Sequence, residues 1–105
     1  EWQRAVDIMV EMREHGLLLN VISYNAAITT CGKCEQWQRA LGMVFEMPGC
    51  NLQPDDISYN AAISACEKSE QWHSALHVLA EMEAKSVVPD VISYSAAISA
   101  CEKGR

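Results

Sequence analysis

The chain has 105 residues, and 50% of them are hydrophobic, which is enough for one domain and too apolar for wholesale disorder. Its net charge of −6 argues against a sequence-blind nucleic-acid binder, whose surface is usually basic. No apolar run approaches the roughly 20 residues of a membrane-spanning helix, so a membrane is not an expected partner, and no targeting leader is visible.

The first predicted element is a helix from Glu1 to about His15, which leaves Ile8 and Val10 or their neighbours uncovered. The segment Ile22-Ser23-Tyr24-Asn25-Ala26-Ala27-Ile28 follows, and it recurs at Ile57–Ile63 and, with Ser95 for the Asn, at Ile92–Ile98. Trp2, Trp37 and Trp72 stand 35 residues apart, as do Met12, Met47 and Met82, and Cys31, Cys66 and Cys101. About half of Val21–Asp55 is identical to Asp56–Asp90, so the chain is an internal repeat.

Each unit reads as two helices. In the second complete unit, the first helix spans about Ile57 to Lys68, with Ile57, Ala61 and Cys66 on an inward stripe beside Tyr59, Ala62 and Ile63. Asp55, Asp56 or Ser58 can cap its start. After a short link, Lys68-Ser69-Glu70, the second helix spans about Gln71 to Lys85. There Trp72, Ala75, Leu76, Leu79 and Met82 share one face. Pro54 and Pro89 end the units, because proline lacks an N–H and restricts the residue before it. Pro48-Gly49 predicts that the second helix of the preceding unit stops near Met47, about one turn early. Gly32 weakens the end of the helix before it, by roughly 1 kcal/mol against alanine. A last helix is predicted from Ile92 to Lys103.

A lone helix pair buries only one side, whereas stacked pairs bury a continuous core. The predicted fold is therefore all-α, an α-solenoid of stacked antiparallel helix pairs with a 35-residue period. Residues 1–20 supply the second helix of a partial unit, 21–55 and 56–90 are complete units, and 91–105 supply the first helix of another partial unit. The unpaired outer helices predict a window on a longer repeat array.

The unit Ile-Ser-Tyr-Asn-Ala-Ala-Ile … Cys-Glu-Lys … Ala-Leu … Glu-Met … Pro-Asp resembles the pentatricopeptide repeat, in phase over the whole chain. The resemblance implies a right-handed superhelix in an organellar RNA-binding factor of chloroplast or mitochondrion, acting in RNA processing, stability, editing or translation. It implies single-stranded RNA read one base per repeat. Asn25 and Asn60 then take the base-facing slot, with Asp55 and Asp90 as partners, a pairing that implies a U-U step. Ser95 replaces the Asn in the last unit, and Asn20 ends the first partial one. Ile22, Ile57 and Ile92 correspond to apolar wedges that sandwich a base. Lys33, Lys68 and Lys103 correspond to phosphate-contacting lysines.

The same residues carry structural readings. Asp55 and Asp90 can be helix N-caps, and the three lysines can serve the helix dipole. The three isoleucines can be buried between units. Asn25 and Asn60 are poor helix formers with no packing reason to repeat, which favours recognition. The Trp, Met and periodic Cys series read as core. Cys31-Gly32-Lys33-Cys34 is a lone CxxC without two further ligands, and His73 and His77 carry no zinc-protease pattern. No metal, no cofactor and no catalysis are predicted. The alternative to RNA binding is a helical scaffold for a protein partner. Fixed polar residues at one phase favour a base code, because a protein-binding groove would vary them or present apolar anchors.

Overall fold

The computed structural model describes residues 2–103; Glu1, Gly104 and Arg105 of the predicted terminal elements lie outside them. Among the described residues there are six α-helices and no strand: α1 (Trp2–Glu14), α2 (Val21–Lys33), α3 (Trp37–Glu46), α4 (Asp56–Lys68), α5 (Trp72–Ala84) and α6 (Val91–Lys103). A 3₁₀ turn, Met47–Cys50, follows α3. Pro48 cannot donate the next helical hydrogen bond, so the α-helix ends at Glu46.

Polar side chains start the helices α2, α4 and α6. The Asn20 carboxamide oxygen accepts from Ser23 N–H at 2.9 Å. Asp55 Oδ1 accepts from Ser58 N–H at 3.0 Å, while Asp55 N–H donates back to Ser58 Oγ at 3.2 Å. Asp90 and Ser93 repeat that reciprocal pair. The turns are periodic as well. Gly16, Asn51 and Ser86 take left-handed backbone at φ 75°, 64° and 63°, and Glu35 and Glu70 do so between paired helices. At Glu70 the turn closes with Gln71 N–H donating to Cys66 O at 2.8 Å, a C-terminal cap that satisfies an otherwise orphaned carbonyl.

The helices stack in two layers. Helices α2, α4 and α6 lie side by side, and α3 and α5 pack behind α2 and α4, with α1 against α2. The core repeats with the sequence: Tyr24, Ile28 and Cys31 from α2 and Tyr59, Ile63 and Cys66 from α4 are fully buried against Ala40, Val44, Met47, Ala75, Val78 and Met82. Trp2, Trp37 and Trp72 pack at the core's edge, half-buried.

Three expectations change. Ile57 does not join the inward stripe; it is 57% exposed, and the stripe is Tyr59, Ala62, Ile63 and Cys66, on about the opposite side of the helix. Leu76 is exposed, and Val78 fills the core instead. Cys101 is exposed and Met12 half-buried, because among the described residues no further helix pair covers α6 or α1. Gly32 lies one residue before the last of α2, which runs to Lys33. A Cβ there would stand 3.1 Å from Ala65 Cβ, so the missing side chain lets α2 and α4 approach closely.

Candidate functional site

The first helices leave a cleft of about 410 Å³ on the face away from the second-helix layer. Ile57 and Ile92 stand at two of its walls, Asn60 and Ala61 lie between them, and Gly32, Lys33 and Lys68 border it. Ile57, Asn60, Ser64 and Lys68 follow one another at helical spacing, so a single face of α4 builds most of this surface. Ile22, Ile57 and Ile92 are 77%, 57% and 60% exposed, which excludes burial between units.

Each Asn–Asp pair is joined across a helix boundary. Asn25, on α2, donates through Nδ2 to Asp55 Oδ1 at 3.1 Å. Asn60, on α4, donates to Asp90 Oδ1 at 3.3 Å. The same Asp oxygen caps the next helix, so capping and pairing coexist in one carboxylate. A serine hydroxyl closes each ring: Ser58 Oγ hydrogen-bonds Asn25 Oδ1, and Ser93 Oγ hydrogen-bonds Asn60 Oδ1. Both serines are completely buried, and Asn25 is 9% exposed.

These bonds set the charge of the carboxylates. Burial pushes the Asp55 carboxyl up, but bonds from the Ser58 N–H, the Asn25 amide and the Ser58 hydroxyl outweigh it and hold the group below the usual carboxylate range. Asp90 is also held low, chiefly by the Ser93 N–H. Both are therefore anionic at neutral pH.

The lysines are not equivalent. Lys33 and Lys68 are exposed, and among the described residues Lys68 makes no ion pair. Lys103 Nζ pairs with Glu67 on α4, which raises its pKa. Ser95 is exposed on α6, and Asn20 holds only the cap of α2. Among the described residues no cluster of His, Cys, Asp and Glu is arranged to hold a metal ion; Cys31 is buried and Cys34 half-buried.

Sequence reasoning treated Ser58 as a possible cap and did not single out Ser93, Gly32 or Glu67 for the site. The available signal was the serine two residues before each Asn or its substitute, at Ser23, Ser58 and Ser93.

The profile of the PPR repeat family matches residues 19–68 and again 54–103, and that of the pentatricopeptide repeat domain matches residues 1–34. No curated protein sequence matches the chain. A crystal structure of the pentatricopeptide repeat protein PPR10 in complex with an 18-nt psaJ RNA element superposes with a TM-score of 0.87 at 26% identity, over 98% of this chain and 15% of that one. A crystal structure of the pentatricopeptide repeat protein PPR10 from maize gives the same TM-score at 24% identity, over 97% of this chain and 15% of that one, which speaks for the fold alone. The chain thus spans 15% of the length of these relatives.

Proposed function

Because the chain belongs to the pentatricopeptide repeat family, we propose that it binds single-stranded RNA without catalysis, one base at each complete Asn–Asp unit. The observation that carries this reading is the repetition of the network. Two amide–carboxylate pairs, one period apart, hold the same bonds, and the second opens on a cleft walled by exposed isoleucines. A lone helix cap needs no Asn reaching to it from the preceding unit. Each ring leaves one Asn N–H and the second Asp oxygen outside it, a donor beside an acceptor. Uracil offers the complement, a carbonyl oxygen beside an N–H, and U-U is the step that the family resemblance implies. Ile57 and Ile92 give a base apolar surfaces to stack between. Lys33 and Lys68 border the same cleft and offer cations to a phosphate, so a local cationic edge coexists with the acidic total.

The affinity of this segment is small. A stacked base contributes roughly 1–3 kcal/mol, so two units give about 2–6 kcal/mol, which is millimolar or weaker, and tens of micromolar at best. Further units on either side would supply useful specificity. The test is an NMR titration of the chain with short oligonucleotides of U, C, A or G at one stated salt. U-specific shifts at α4 that vanish in Asn60→Ala support the reading. Equal shifts with all four, unchanged in that variant, would refute it.

A further inference from the structure

We propose that Ser58 and Ser93 are positioning residues that fix which end of the preceding unit's Asn faces the RNA. The inference rests on the RNA-binding reading above.

Each hydroxyl has a single proton and several neighbours. Ser58 Oγ accepts from Asp55 N–H at 3.2 Å, and it lies near both Asn25 Oδ1 and Asp55 Oδ1. Asp55 Oδ1 already receives the Ser58 N–H at 3.0 Å and the Asn25 amide at 3.1 Å. The hydroxyl proton therefore goes to Asn25 Oδ1, the nearer acceptor and the one otherwise without a donor. The result is a closed ring. Backbone N–H of Asp55 donates to Ser58, Ser58 donates to the Asn25 carbonyl, and the Asn25 amide donates to Asp55. Ser93, Asn60 and Asp90 form the same ring.

The ring makes the two ends of the amide unequal. Turning the Asn by half a revolution would put its carbonyl against the Asp carboxylate and its NH₂ against the serine. The first contact is repulsive, and the second forces the serine proton onto the Asp oxygen that already accepts the cap N–H. With the ring intact, the carbonyl is turned to the serine and the free N–H is the group presented to the base. Without the hydroxyl, the carboxylate alone holds the amide, so the flipped state, with a carbonyl toward the base, gains population. Uracil and cytosine differ in the polarity of their edges, so this choice matters to selectivity. Complete burial of both serines means water cannot replace the lost hydroxyl at no cost. The serine also belongs to the following unit, so each Asn is oriented by its neighbour.

The experiment compares wild type, Ser93→Ala, Ser93→Thr and Asn60→Ala in NMR titrations with short U and C oligonucleotides. Ser93→Ala keeps Asp90 as the cap, because the backbone N–H it binds remains. The expected result is a U-over-C preference that falls about fivefold in Ser93→Ala, or about 1 kcal/mol, with stacking affinity retained. Ser93→Thr, which keeps the hydroxyl, should hold it. An unchanged preference in Ser93→Ala would overturn the proposal alone. Absence of any preference in wild type, with Asn60→Ala silent, would overturn the RNA reading and this inference with it. A direct measurement guards against an unfolded variant: the two Nδ2 protons of Asn25 and Asn60 in the free wild-type chain should be well separated in shift, one bonded and one not. Coil-like separation would overturn the lock.

Discussion

Gly32 leaves Lys68 without the carboxylate that Glu67 gives Lys103. Lys103 reaches back 36 positions to Glu67; the position that bears the same relation to Lys68 is 32, where there is no side chain. One period thus ends in a closed ion pair and the other in an uncommitted ammonium beside the cleft. Glu67→Gln should release Lys103 for phosphate contact. RNA affinity should rise at low salt, and the plot of log affinity against log salt should steepen by about 0.7 for one added contact to a single strand. Titrations at four salt concentrations check this, and an unchanged slope would remove Lys103 from the interface.

Acid should weaken the fold through the two caps. Asp55 and Asp90 titrate lower in the folded chain than the value of about 3.9 for unstructured Asp. The folded state then takes up protons less readily than the unfolded one. The stability involved is fully present above that value and is lost as pH falls through the depressed folded values. Asp55→Asn should keep the cap, since Asn20 already performs it at α2, while flattening the acid limb of a Tm-versus-pH curve. An acid limb identical to wild type would show that Asp55 does not contribute.

At Gly32 two effects oppose each other. Alanine gains roughly 1 kcal/mol of helix propensity. Its Cβ, 3.1 Å from Ala65 Cβ, is too close unless α4 gives by a few tenths of an ångström, and overpacking costs about 1–3 kcal/mol. Gly32→Ala should therefore be destabilising by about 1 kcal/mol in urea unfolding; a gain would mean that α4 yields freely.

Ser86 holds φ at 63°, where its periodic counterparts are Gly16 and Asn51. Ser86→Gly removes the steric cost of that conformation and should stabilise the chain by about 0.5–1 kcal/mol. Thermal melts check the sign.

Thiol chemistry should divide the cysteines. Burial pushes the Cys66 thiol up to about 11 and raises Cys31 as well. Cys50 and Cys101 are exposed. A maleimide at mildly alkaline pH should label Cys50 and Cys101 first, and Cys31 and Cys66 only as the chain unfolds. Mass spectrometry of the labelled peptides reads the order.

The 35-residue period, the helix pairs and the early end of α3 at Pro48 were legible in the sequence, because each is local: a recurrence, an apolar spacing, a missing N–H. The face of Ile57 was not. Grouping Ile57 with Ala61 and Cys66 put it on the core stripe, although it stands opposite Tyr59, Ala62, Ile63 and Cys66, and the placement of α6 beside α4 makes its face one wall of a cleft. The Asn and Asp slots came from the family resemblance, and the cap from the residues themselves. Their union through Ser58 and Ser93 was hidden, since it joins residues 33 apart from successive units. The Glu67–Lys103 pair was hidden for the same reason.

The absent side chain at Gly32 has a geometric consequence for any longer array. With no Cβ between them, α2 and α4 meet at Gly32 and Ala65, while Val44, Met47, Val78 and Met82 fill the core behind. A bulkier residue at position 32 would wedge the units apart on the cleft side only, and a stack wedged on one edge changes its curvature.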